Sequence, residues 1–429
     1  MTTGGRTPGH GHGRGSGGRT ARPRDVAFPG AAVLVSVGGE PVFERFLGGY
    51  RADQRHKSDP LDEGSYVVTD SSLLPGPHTL FDLASLTKPL ACALITLRHM
   101  ERGRLSVRTP LGEVLPGLPP DTQAIRVGEL LTHTGGLPAV PGLERLIEPT
   151  RGSYRSGGGL PSRDEVERAR RGLYAVEPDV TPGTRVLYSC TGFLLLGELL
   201  AHLGGKSLAT LFAEAGSSEA GPNSGVGPGS RFTIGYLPPA TERYRCAPTE
   251  DDPWRGRRIH GEVHDENAYA LGGAAGNAGL FGTLHAVHEH ILRMWGSVIG
   301  VERSDALLTP ETARRSVSEQ TASSGSGSGS GPGSGAGSRS VSERRGWGVQ
   351  LPSPEWTAET GLSPRSFGHT GFTGTSFWVD PDRSLVIVAL TNRVYYGREQ
   401  TDQSIRRFRT ALHRSAVERF YPRVPPSAR

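Results

Sequence analysis

Phe81-Asp82-Leu83-Ala84-Ser85-Leu86-Thr87-Lys88-Pro89-Leu90 is the stretch on which the reading of this chain turns. It sets a serine and a lysine three apart, at the start of a segment whose pattern predicts a helix running on through Leu97 and His99. Residues three apart on a helix share a face, so the Ser85 hydroxyl and the Lys88 amine can meet there. A serine hydroxyl is a poor nucleophile until a neighbouring base takes its proton. Lysine is that base only if desolvation or nearby positive charge lowers its pKa from about 10.4. Leu83, Leu86, Leu90 and Ala91 predict a partly buried setting of that kind. The helix N-terminus in turn favours the alkoxide form of Ser85.

Composition sharpens the motif. Of 48 lysines and arginines, only Lys57, Lys88 and Lys206 are lysine. Arginine is in effect always charged and cannot serve as a base, whereas lysine can. A chain that otherwise writes arginine for positive charge keeps a lysine three residues after a serine. The plain alternative is a solvated surface lysine, and the rest of the chain has to decide.

At 429 residues the chain can hold one large or two medium domains. Its apolar fraction of 35% is low because 61 glycines and 33 prolines dilute it. The net charge of +5 comes from scattered arginines and not from one basic face, which gives no support for a nucleic-acid partner. Cys92, Cys190 and Cys246 are odd in number and widely spaced, which argues against a disulfide framework and for a reducing compartment. No run approaches the roughly 18 apolar residues that span a membrane. The first 27 residues are rich in Gly, Arg, His and Thr and lack a signal peptide's apolar core. The sequence therefore predicts a soluble, cytoplasmic protein with no membrane partner, and leaves its oligomeric state open.

Taken in order, residues 1–27 read as a disordered Gly/Arg-rich tail. Ala31 to Val37 and Val42 to Leu47, joined at Gly38-Gly39-Glu40-Pro41, read as a β-hairpin, with a further short strand over Ser65 to Thr69. Helices are predicted over Val127 to Leu131, Arg163 to Leu173, Gly192 to Leu203, Leu280 to Ile299 and Gln400 to Phe420. Strands are predicted at Trp347 to Leu351, Ser366 to Thr370, Thr373 to Val379 and Ser384 to Leu390. Residues 216–230 form a Gly/Ser/Pro loop and 321–338 a flexible Gly/Ser insertion, whose accidental G-x-S-x-G matches lack the strand and helix that motif requires. Strands thus gather at both ends and helices between them. The expected fold is α+β, an antiparallel sheet from both chain ends flanked by helices, with an all-helical subdomain inserted. Residues 28–95 and 270–425 would form the sheet domain and 96–269 the helical one.

Three further stretches carry chemistry. Tyr188-Ser189-Cys190 precedes the apolar helix, and a tyrosine on a loop can pass a proton when a cation stabilises its phenolate. His369-Thr370-Gly371-Phe372 stands at a strand edge, where small residues let substrate lie alongside and a backbone N–H faces a developing oxyanion. His264-Asp265-Glu266-Asn267 leads into the Gly/Ala-rich run Gly272 to Phe281, read as a loop approaching a site closely. The histidine sets His260/His264 and His285/His288/His290 allow a metal, but without acidic or Cys ligands at matching spacing they read as solvated helix histidines. No metal or other cofactor is expected.

Ser85-x-x-Lys88, Tyr188-Ser-x and His369-Thr-Gly, in that order, resemble the serine β-lactamase and penicillin-binding-protein superfamily, in its class C-like branch. Leu130-Leu-Thr-His-Thr-Gly-Gly-Leu137 and Gly371-Phe-Thr-Gly-Thr-Ser-Phe-Trp-Val-Asp-Pro381 look like its hallmark segments, and the likeness covers residues 28 to 420. The resemblance implies a β-lactamase/transpeptidase-like fold and a serine hydrolase that works through an acyl-enzyme. It makes Ser85 the nucleophile, Lys88 its proton partner and Tyr188 the base and acid shared with Lys88. His369, Thr370, Gly371 and Phe372 would hold substrate, with the N–H groups of Ser85 and Phe372 as the oxyanion hole. His133-Thr134-Gly135 is a decoy for His369-Thr370-Gly371 and resembles the family's structural loop. Cys190 departs from the pattern, standing where asparagine is usual. A thiol is a weaker hydrogen-bonding partner than a carboxamide. The reading therefore leans to an ester or small amide or peptide substrate. The alternatives are a D-amino-acid peptidase or D,D-carboxypeptidase-like enzyme, a low-turnover binding protein on the same fold, or Cys190 itself as nucleophile.

Overall fold

A computed structural model of the chain describes residues 27–49, 74–149, 159–216, 233–321, 343–398 and 402–421. The N-terminal tail, the strand expected over Ser65 to Thr69 and nearly all of the two Gly/Ser-rich stretches lie outside the described residues.

The described residues form the strands β1 (Gly30–Val37), β2 (Glu40–Gly48), β3 (Phe81–Asp82), β4 (Ile234–Tyr236), β5 (Asp251–Asp252), β6 (Arg257–Arg258), β7 (Leu280–Gly282), β8 (Phe367–Thr370), β9 (Ser376–Asp380) and β10 (Leu385–Thr391). The helices are α1 (Leu94–Glu101), α2 (Pro120–Ala124), α3 (Val127–Leu131), α4 (Arg163–Tyr174), α5 (Cys190–Gly204), α6 (Leu208–Gly216), α7 (Glu266–Ala270), α8 (Leu284–Trp295), α9 (Pro310–Ser316), α10 (Pro354–Thr360) and α11 (Asp402–Phe420). The main sheet runs β2-β1-β10-β9-β8, antiparallel throughout. It joins the two ends of the chain, because Ala31 pairs with Thr391 and Val37 with Leu385. The β1–β2 turn is made by Gly38 and Gly39, both at positive φ (59° and 88°), a conformation open to glycine.

β10 is apolar at nearly every position because helices cover both faces of the sheet. Val386, Val388 and Leu390 point into the larger core with Ala32, Leu34 and Trp295 of α8. Leu385 and Ile387 point the other way, with Val35 and Trp378, against Trp356 of α10 and Ala416 of α11. Aromatic rings pin both faces. Trp295 stacks on Phe377 at 5.6 Å, and Trp356 stacks on Trp378 at 4.0 Å.

Two sequence expectations change. Leu280–Gly282 is a strand and not the start of the following helix, because it pairs with both β3 and β4 and Thr283 then caps α8. Trp347 to Leu351 is not a strand; only Gln350 bridges to Gly368, because the Gly346 N–H turns back to the Val349 carbonyl and Gly348 sits at φ 79°.

The small sheet β3-β7-β4 leads into the Ser85 turn, and Asp82 fixes that turn. Its carboxylate, 2% exposed, accepts the N–H of Ala84 at 2.8 Å and of His264 at 2.7 Å. Burial pushes the Asp82 carboxyl up from the usual range, and the two N–H bonds oppose that push. His264 is itself propped from below, since the buried Arg255 donates to the carbonyls of Val263 and His264. Replacing Asp82 with Ala leaves two buried N–H groups without an acceptor. Denaturant unfolding of that variant is expected to show a loss of about 3 kcal/mol.

Buried histidines give the fold a pH limit. Burial holds His288 and His290 at about 4 and His413 at about 3, against 6.5 for a free side chain. The unfolded chain therefore takes up protons below about pH 6.5 that the folded chain refuses, and stability present above that pH is lost as pH falls towards 4. Each such histidine removes about 2 kcal/mol at about pH 5. Melting temperature is thus expected to fall steadily between about pH 7 and about pH 5, and His290→Gln to take about one proton out of the slope.

Candidate active site

The expected helix is present as one helical run with its winding changed. Ser85 lies in a 3-10 turn, Ala84–Leu86; residues Lys88–Ala93 are wound as a π-helix; α1 then continues to Glu101. Pro89 accounts for part of this, because it has no N–H to give the Ser85 carbonyl four residues back. Immediately before the serine, Ala84 holds a φ of 47°, a strained value for a residue with a Cβ.

Lys88 is fully buried. Its Nζ donates to Ser85 Oγ at 3.0 Å, to the Asn277 carbonyl at 3.2 Å and to Cys190 Sγ at 3.3 Å. The same atom stands 5.1 Å from the centre of the Tyr188 ring. Burial presses the Lys88 pKa down, as the sequence reading required of a lysine base. Cys190 and then Tyr188 beside it outweigh that, and the net direction is up. That net direction runs against the lowered pKa that the sequence reading required of a lysine base. Asn277 reaches this position because α5 and the Gly/Ala-rich loop touch backbone to backbone: a Cβ on Gly276 would fall 2.0 Å from the Phe193 carbonyl oxygen.

Tyr188 is half-buried on the loop before α5. Ser189 caps that helix, accepting the Gly192 N–H at 3.1 Å and donating its hydroxyl to the Pro138 carbonyl at 2.7 Å. The loop is held by His133, whose Nδ1 accepts the Ser189 N–H at 3.1 Å and whose carbonyl accepts the Leu187 N–H at 2.8 Å. The His133 ring lies 4.5 Å from the Tyr188 ring. Burial, and then the charge of Arg345, keep His133 well below its ordinary pKa. With Nδ1 accepting and the ring neutral, its proton is on Nε2.

On the other wall β8 ends at His369-Thr370. His369 is buried, 6.1 Å from Tyr188 ring to ring, and its Nδ1 contacts the Thr370 carbonyl at 2.8 Å. A carbonyl only accepts, so Nδ1 carries the proton. Burial, then Arg345 and Lys88, hold the ring neutral, which leaves Nε2 as a buried acceptor without a partner among the described residues. The Gly371 N–H bonds the Thr375 carbonyl at 2.7 Å, and Thr373 and Thr375 donate their hydroxyls to the carbonyls of Asp82 and Leu83. A Cβ on Gly371 would stand 2.8 Å from the Leu83 oxygen, so only glycine lets this turn sit against the serine turn. Phe372, 45% exposed, stacks on His264 at 5.6 Å with Arg393 over its face.

Ser85, Lys88, Tyr188, Cys190 and His369 thus converge, with Thr370, Gly371 and Phe372 forming the adjoining edge. Sequence reasoning missed two contributors. His133 was set aside as part of a decoy motif, yet its side chain braces the tyrosine loop. Arg345, 4% exposed, stands with its guanidinium 5.5 Å from the Tyr188 ring, and its position just after a Gly/Ser-rich stretch gave no signal. The other histidines of the metal hypothesis are engaged one by one. His264 contacts Glu250, His285 contacts Glu44, His288 contacts Ser36 and His290 donates to the Leu90 carbonyl. Among the described residues no three His, Cys, Asp or Glu side chains converge to hold a metal.

Known proteins share this sequence and architecture. A proposed D-alanyl-D-alanine carboxypeptidase of Escherichia coli (strain K12) is 26% identical over 388 residues, covering 86% of this chain and 79% of that protein. An N-acetylmuramyl-L-alanine amidase of Bacillus subtilis (strain 168) is 28% identical over 393 residues, with the same shares covered. Among solved structures, EstCE1, a hydrolase with promiscuous acyltransferase activity, superposes with a TM-score of 0.58 at 21% identity, over 92% of this chain and 94% of its own. A D-alanine carboxypeptidase from Burkholderia cenocepacia gives 0.54 at 18% identity, over 91% and 93%. The sequence profile of the family described as Beta-lactamase matches residues 19–412, and the chain belongs to that family of serine hydrolases.

Proposed function

We propose that this chain hydrolyses an ester or small amide through an acyl-enzyme on Ser85, with Tyr188 moving the proton and Lys88 held as the cation between them. The observation that carries this is the buried Lys88 Nζ, 3.0 Å from Ser85 Oγ and 5.1 Å from the centre of the Tyr188 ring, which we read as an ammonium. An ammonium cannot take the serine proton. It can stabilise a phenolate that does, and the alkoxide character that develops on Ser85. Ser85 Oγ attacks the substrate carbonyl as Tyr188 receives its proton. The N–H groups of Ser85 and Phe372 receive the oxyanion. Tyr188 returns the proton to the leaving alcohol or amine, and water then releases the acyl group by the same route.

The lean on substrate class rests on the one position that departs from the family pattern. Cys190 puts a thiol where a carboxamide is usual, which weakens recognition of a β-lactam's or peptide's amide side chain and does not touch ester acylation. The names of the curated relatives support a second reading, a peptidase acting on a D-amino-acid or peptidoglycan-derived amide. The three unpaired thiols support a reducing, cytoplasmic compartment. No described helix is long and apolar enough to cross a membrane.

Ser85→Ala is expected to lower kcat on a short-chain nitrophenyl ester by about 10⁴-fold or more and to abolish labelling by a fluorophosphonate probe. Labelling that survives this change contradicts the nucleophile assignment. Tyr188→Phe is expected to lower kcat by about 10² to 10⁴-fold while fluorophosphonate labelling slows in step. Run side by side, the ester should be hydrolysed faster than a chromogenic cephalosporin. A faster D-alanyl-D-alanine peptide would move the conclusion to the peptidase reading.

A further inference from the structure

The three cysteines are not equivalent. Cys92 and Cys246 are fully buried, and burial pushes both thiols up, away from the reactive thiolate. Cys190 is only half-buried, opens the long helix α5 and holds its sulfur 3.3 Å from the Lys88 ammonium. A partly exposed cysteine beside a cation and at a helix N-terminus is the setting in which thiols react. Asn277, whose carbonyl accepts from the same Nζ, is fully buried with both side-chain polar atoms unpartnered. The acyl-enzyme mechanism uses none of the chemistry that a sulfur and an amine in contact make possible.

We propose that Cys190 and Lys88 form a peroxide-operated covalent switch in which oxidised Cys190 closes onto the Lys88 amine and turns the hydrolase off. In the first step the Cys190 sulfur attacks one oxygen of hydrogen peroxide. An S–O bond forms, the O–O bond breaks, and the departing hydroxide leaves as water with the thiol proton. Sulfur is oxidised to a sulfenic acid and the peroxide is reduced. Lys88 gives up one proton, and its lone pair attacks the sulfur. An S–N bond forms, the S–O bond breaks, and the leaving hydroxide takes the second amine proton as water. The sum is one thiol, one ammonium and one peroxide to one sulfenamide, two waters and a proton. Neighbours at 3.3 Å meet with little more than a swing of the lysine stem. The product removes the cation from Ser85, so acylation stops. A small thiol reverses it by attacking sulfur, breaking the S–N bond and returning the amine, and a second thiol frees Cys190.

This rests on the reading of Lys88 as the charged partner of Ser85, and the test separates the two. The full chain is treated with hydrogen peroxide, then assayed on the nitrophenyl ester and digested for mass spectrometry. The expected result is loss of activity, its recovery with dithiothreitol, and a linked Lys88–Cys190 peptide lighter than the two free peptides by two hydrogens. Cys190→Ala should keep whatever activity it has through the treatment, while Cys92→Ala and Cys246→Ala remain sensitive. The proposal is overturned if Cys190 carries only added oxygen with no linked peptide, or if Cys190→Ala loses activity to peroxide as the unchanged chain does. Failure of the acyl-enzyme reading would appear instead in untreated protein, as absent turnover and absent Ser85 labelling. The linked peptide is read whatever that outcome.

Discussion

A buried amine must be met by hydrogen-bond partners, and Lys88 is that group in this fold. Its Nζ is satisfied by Ser85 on its own helix, by Cys190 at the start of α5 and by the carbonyl of Asn277. Those groups come from three segments separated by 102 and 189 residues from the lysine. Removing one of them costs the buried Nζ a hydrogen-bond partner and leaves it the other two. The same constraint that makes the site reactive therefore makes it a structural junction. The close approaches at Gly276 and Gly371 exist to let backbone reach it.

Around this cation the protein arranges neutrality. His133 and His369 flank Tyr188, and burial together with Arg345 and Lys88 keeps both rings uncharged. Backbone partners fix their tautomers in opposite senses. The Ser189 N–H makes His133 a donor at Nε2, and the Thr370 carbonyl makes His369 an acceptor there. Two residues in similar His-Thr-Gly motifs thus hold opposite tautomers on either side of one tyrosine ring. Arg345 adds positive charge near that ring while its guanidinium pairs with Glu343.

Much of this was legible in the sequence, for identifiable reasons. The ends of the chain read as strands because β1 and β10 must be apolar at almost every position, and their pairing closes the sheet. Ser85 and Lys88 read as a pair because helical spacing is local. What stayed hidden was set by contacts across the fold. The π-winding after Thr87 is not written in a propensity. Leu280–Gly282 reads as helix until two partner strands claim it. His133 looks like a structural loop until Ser189 is folded against it. Desolvation of Lys88 can be inferred from Leu83, Leu86 and Leu90, but the sulfur and the phenol ring that oppose it lie 102 and 100 positions further on.

Scarcity of lysine makes the central claim directly measurable. The chain has three lysines, so side-chain nitrogen-15 NMR of lysine-labelled protein would give few signals, and Lys57→Arg and Lys206→Arg leave Lys88 alone. A charged Lys88 predicts an ammonium nitrogen shift that stays constant as pH is raised through neutrality and into the alkaline range where the other lysines titrate. A Lys88 signal that moves to the neutral-amine position near neutral pH would contradict the account. It would return the role of resting base to the lysine.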